Sequence, residues 1–113
     1  MTFKQITDSF NRRFHEVSGC LYDYQYKFNH LVPDSESSYF EYDSACKKEY
    51  AVTICQCYRD LIALSGDIHM FYRFASKESE KQVLWKLHCD VDDFCDKVLN
   101  FVDDVRYIYH WDY

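Results

Sequence analysis

Six aspartates, Asp90, Asp92, Asp93, Asp96, Asp103 and Asp104, stand close together in the last quarter of the chain, with Lys97 as the only basic residue among them. If this stretch is helical, Asp92, Asp96 and Asp103 fall on one face, and neighbours one turn apart stand about 5–6 Å from each other. Phosphates along a nucleic-acid strand have a similar spacing, so such a face can imitate a phosphate backbone. Aspartate is a poor interior helix residue, and like charges one turn apart cost a few tenths of a kcal/mol. The sequence accepts that cost repeatedly. The plainer alternatives are a solvated face, or Asp90 or Asp92 capping a new helix after a break near Cys89.

Aromatic residues accompany the acids. Tyr39 and Tyr42 flank Glu41 and Asp43, and Tyr107, Tyr109, Trp111 and Tyr113 stand at alternate positions in the last seven residues. Tyrosine and tryptophan among carboxylates make good interface anchors, because they bury much area with few rotors to freeze. The alternative use of Tyr107, Tyr109 and Trp111 is to close the end of the fold on itself. Both readings stay open at this point.

Other reactive groups are weaker candidates. His88, Asp92 and Cys95 share a helical face, as zinc ligands do, but paired Cys-x-x-Cys spacing is absent. Cys55 and Cys57 would point about 200° apart on a helix. Two glycines leave no material for a phosphate-cradling loop, and no Gly-x-Ser-x-Gly elbow occurs. The five histidines are scattered. Arg106 and His110 share a helix face, a pairing too common to identify RNA cleavage. The expectation is a non-enzyme without metal or cofactor.

These groups need a scaffold. A chain of 113 residues, 48% of them apolar, fits a single globular domain over positions 1–113. With only two Gly and one Pro, long helices are favoured over a many-turned β fold. The formal net charge is −6, distributed as +1 over 1–33, −3 over 34–66 and −4 over 67–113. That balance disfavours direct nucleic-acid binding and favours a basic protein partner. Six cysteines occur, at 20, 46, 55, 57, 89 and 95. The N-terminal residues have no apolar signal-peptide core, and no run approaches the ~20 apolar residues of a membrane span. The expectation is a cytoplasmic protein, without membrane association, whose thiols are reduced and pack as small hydrophobes.

Hydrophobic spacing places the helices. Phe3, Ile6, Phe10, Phe14, Val17, Leu21, Tyr24, Phe28 and Leu31 predict a first helix over Thr2 to Leu31, kept in phase across Ser18-Gly19. Val32 to Ser37 reads as a loop around Pro33. Ser38 and Glu41 form a capping-box pattern for a second helix to Leu64, with Phe40, Ala51, Ile54, Tyr58, Leu61 and Ile62 inward. Ser65-Gly66 predicts a stop, followed by a short third helix over Ile68 to Ala75. From about Lys77, capped by Ser76 or Ser79, Leu84, Leu87, Val91, Phe94, Val98, Phe101, Val105 and Ile108 predict a final helix of about 30 residues. The expected fold is all-α, an antiparallel helical bundle of three long helices plus one short helix.

In size, charge and aromatic content the chain resembles the small acidic inhibitors of bacteria and phages, such as toxin-immunity and anti-CRISPR proteins. The expected function is therefore a non-enzymatic inhibitor. It would neutralise a basic nucleic-acid-handling protein, such as a nuclease, through its acidic, Tyr-rich helical face, with nucleic-acid mimicry as one mode of action. The alternative is a structural or assembly module that forms a helical homodimer through an aromatic interface.

Overall fold

In the computed structural model the described residues are 2–30 and 37–109, side chains of 37–45 excluded. They form α1 (Phe3–Asn29), α2 (Ser37–Phe74) and α3 (Glu78–Tyr109), with no strand among them. The predicted helical class therefore holds. The array is rod-like, with extents of 62 × 23 × 18 Å.

Local chemistry sets the first boundary. Thr2 caps α1 in a reciprocal box: its Oγ1 accepts from Gln5 N at 3.2 Å, and Gln5 Oε1 accepts from Thr2 N at 2.8 Å. Two backbone donors that the helix cannot satisfy itself are thereby bonded. At the other boundary His30 N donates to Tyr26 O at 3.0 Å. Leu31 and the loop residues 32–36 lie outside the described residues. Glu78 and Glu80 in the first turn of α3 suit the positive end of its helix dipole.

The predicted stop at Ser65-Gly66 is overturned. α2 runs unbroken through both residues, so the expected short helix over Ile68 to Ala75 is the last part of α2 and three helices replace four. Gly66 is exposed and helical, with no positive φ. A glycine there costs about 1 kcal/mol against alanine. Continuation keeps the backbone bonded and buries Leu64 and Ile68, each worth about 1.5–3 kcal/mol. Packing outweighs the local stop signal.

Helix α2 lies between the other two. Phe10 packs edge-on against Phe71, Arg13 pairs with Asp67 at 3.0 Å, and Tyr24 meets Tyr50, which fixes α1 antiparallel to α2. On its other side, Tyr72 meets Trp85 and Ser65 meets His88, which fixes α3 antiparallel to α2. Ala51, Ile54, Leu61, Leu64 and Ile68 form the buried spine. Helices α1 and α3 approach through rings: Phe14 and Tyr22 both stand edge-on to Phe94, and Phe28 to Phe101.

Two inward assignments are corrected. Ile62 and Ile108 are 49% and 54% exposed. Ile62 is one position off the Leu61–Leu64–Ile68 line, and Ile108 lies off the line of Val98, Val102 and Val105, which are all buried. Cys95 and Val102 join the core instead. Phe40 lies outside the described side chains.

Candidate functional site

The outer surface of α3 carries most of the acids predicted to matter. Asp90, Asp93, Asp96, Asp103 and Asp104 are exposed on one continuous helix. No helix break falls near Cys89, so neither Asp90 nor Asp92 is a cap. Asp93 and Asp104 stand on one line of the helix, about 16 Å apart by rise, and Asp96 and Asp103 stand on a neighbouring line, about 10 Å apart. Asn100 and Lys97 occupy the interval. Asp103 lies 3.8 Å from Arg106 Nη2, whereas Asp90, Asp93, Asp96 and Asp104 make no ion pair among the described residues.

Asp92 departs from this face. It turns toward α2, where its Oδ1 accepts from Ser65 Oγ at 2.5 Å and its Oδ2 lies 3.2 Å from His88 Nε2. His88 Nδ1 in turn lies 3.1 Å from Ser65 Oγ and 3.2 Å from the Ser65 carbonyl oxygen. Both ring nitrogens of His88 therefore face acceptors. The imidazole also packs beside His69 and Trp85, and Trp85 beside Tyr72. The regular ladder through Asp92, Asp96 and Asp103 is thus interrupted at its first member. The remaining acids form a broader, less even strip.

Serine, histidine and aspartate in mutual contact invite comparison with a hydrolytic triad. There the hydroxyl is bonded to the imidazole and the carboxylate sits behind the ring. Here the Ser65 hydroxyl donates directly to the carboxylate. Ser65 is buried in mid-helix, where neighbouring amides are used by the helix and supply no oxyanion donors. The chemistry of the cluster is to tie α2 to α3. Sequence reasoning placed His88 and Asp92 together but missed Ser65, which it read as part of a stop. The detectable signal was a small hydroxyl residue on the buried side of an apolar helix.

The aromatic candidates divide. Tyr107 is 80% exposed on the outer side of α3, while Tyr109 is half-buried and packs against the core. Trp111 and His110 lie outside the described residues, as do the side chains of Tyr39, Glu41, Tyr42 and Asp43. Arg106, expected beside His110, is buried with its guanidinium carbon 5.4 Å from the Tyr58 ring. Burial pulls that guanidinium below its ordinary value. An exposed apolar group that the sequence had not singled out, Met70, Phe71, Phe74, Val83 and Trp85, surrounds the α2–α3 turn. Beside it a shallow depression of about 250 Å³ is lined by Tyr72, Glu78, Lys81, Gln82, Trp85 and Lys86.

No group of three potential metal ligands is assembled among the described residues. Cys95, the third member of the proposed ligand face, points into the core, and burial with Asp92 and Asp96 nearby pushes its thiol up to about 11. All six cysteines are free thiols. No described helix is long and apolar enough to cross a membrane. Compared with models of known families, with curated proteins and with solved structures, the chain matches none.

Proposed function

We propose that this protein is a non-enzymatic binding module that neutralises a basic, nucleic-acid-handling protein through the outer face of α3. The observation that carries the reading is the strip of exposed carboxylates at Asp90, Asp93, Asp96, Asp103 and Asp104, with exposed Tyr107 on the same helix. A helix braced along its length by α2 presents these charges with little entropy left to lose on binding. Charge complementarity speeds encounter and makes it salt-sensitive. The uneven spacing of the strip favours a match to a basic surface over strict imitation of a phosphate ladder. Toxin-immunity and anti-CRISPR proteins exemplify this manner of inhibition, and a cytoplasmic target fits the reduced thiols.

The test compares the wild type with Asp93→Lys/Asp96→Lys/Asp104→Lys. Wild-type protein should capture a basic nucleic-acid-binding protein at low salt and, at stoichiometric amounts, abolish that protein's binding to a labelled duplex. The triple variant should do neither. Equal inhibition by both would end the proposal.

A second reading is favoured by the apolar group at the α2–α3 turn, where Phe74 is 81% exposed. Patches of this kind mark association surfaces, and two copies meeting there would form a homodimer. Light scattering distinguishes the two: a salt-insensitive dimer broken by Phe74→Ser supports assembly, and a monomer refutes it.

A further inference from the structure

Between α1 and α2, Cys20 and Cys57 face each other. The ion pair of Arg13 with Asp67 and the ring contact of Tyr24 with Tyr50 form rungs on either side of them, so the antiparallel register brings the two positions opposite. Cys20 shares a face of α1 with Arg13 and Tyr24, and Cys57 shares a face of α2 with Tyr50, so both thiols lie on the faces that these rungs join. Cys57 is buried in the core, and Cys20 is half-buried at its margin. A disulfide has an S–S length of about 2.05 Å and needs Cα atoms within about 7 Å. Two thiols facing each other across a packed antiparallel helix pair stand where such a bond can close.

From this pairing we infer that Cys20 and Cys57 form an oxidation-sensitive crosslink, a modification site that braces α1 against α2 when the chain meets a small-molecule disulfide such as oxidised glutathione. Cys20 leads, because it is the thiol with access to solvent. Its thiolate attacks one sulfur of the oxidised glutathione, forming a mixed disulfide and releasing one glutathione thiolate. Cys57 then loses its proton to solvent and attacks the Cys20 sulfur, expelling the second glutathione. In total two protein thiols are oxidised to one disulfide and one glutathione disulfide is reduced to two thiols.

The order follows from the surroundings. Burial, with Cys20 beside it, pushes the Cys57 thiol up to about 12, so it is a poor leading nucleophile and acts second, once its neighbour carries the leaving group. The crosslink closes a long loop that includes the α1–α2 connection, which restricts the unfolded chain. It leaves the acidic face of α3 untouched, so it is separable from the binding role proposed above.

The experiment incubates the full chain with a series of reduced-to-oxidised glutathione ratios, blocks remaining thiols, and maps peptides without reduction. Expected is a monomer that loses two hydrogen atoms, one linked peptide pair containing Cys20 and Cys57, and a raised denaturant midpoint. Cys57→Ser should stop with one glutathione on Cys20, and Cys20→Ser should leave Cys57 unmodified. A bridge through Cys46, Cys55, Cys89 or Cys95, a bridge between chains, or a stable glutathione adduct on wild-type Cys20 would overturn the inference. The wild-type peptide map decides this even if a variant fails to fold.

Discussion

Ser65, in the middle of α2, donates its hydroxyl hydrogen to Asp92 of α3 at 2.5 Å, so one of the acids that looked free in sequence serves as a tie between helices. A double-mutant cycle on Ser65→Ala and Asp92→Ala measures that tie. Each single change should cost about 1 kcal/mol, and the two should couple by at least about 0.5 kcal/mol. Simple additivity in urea unfolding would show that the contact contributes nothing to stability.

The continuity of α2 gives a prediction of sign. Gly66 is exposed, helical, and has open space where a Cβ would sit. Gly66→Ala should therefore raise stability by about 0.5–1 kcal/mol, read as a higher Tm. A left-handed terminator at this position, as the Ser65-Gly66 pair suggests in sequence, would make the same substitution destabilising.

Exchanging acids on α3 should separate two roles. Asp93→Lys, on the outer face, should leave stability within about 0.5 kcal/mol of wild type. Asp92→Lys should lower it by about 1–2 kcal/mol, because it removes the acceptor of the Ser65 hydroxyl and the partner of His88. Equal effects in chemical denaturation would contradict the distinction between surface acid and structural acid.

Alkaline stability should reflect the buried thiols. Burial raises Cys57 to about 12 and Cys95 to about 11 from 9.0. The folded state thus holds these protons more tightly than the unfolded chain, so their contribution is fully present below pH about 9 and declines as pH rises toward 11–12. Stability should fall across that window, and Cys95→Ala should have a shallower fall than wild type despite lower stability at neutral pH. Tyr58 and Tyr109, also raised by burial, add a decline of the same sign. A slope unchanged by Cys95→Ala would exclude the thiol as a cause.

Helical class and the extent of the outer helices were legible because α1 and α3 each bury one stripe. Phe10, Leu21 and Phe28 on α1, and Leu84, Leu87, Val91, Val98 and Val105 on α3, repeat at helical spacing and are buried. The acidic content of α3 was equally plain, since charge needs no partner to be read. Helix α2 was harder. It is covered on two sides, so its buried positions spread over a wide arc and its periodicity blurs, and a local Ser-Gly signal filled the gap.

Only the tertiary structure decided the rest. Whether α2 stops at Gly66 depends on Leu64 and Ile68 finding a core across the break, and a one-dimensional string does not contain that core. Which acid turns inward depends on Ser65 lying opposite Asp92, a meeting fixed by the register of two antiparallel helices. The same holds for the thiols of Cys20 and Cys57. Residue type and spacing set what each helix can offer, whereas packing selects which groups meet, because contacts between helices join positions far apart in the chain.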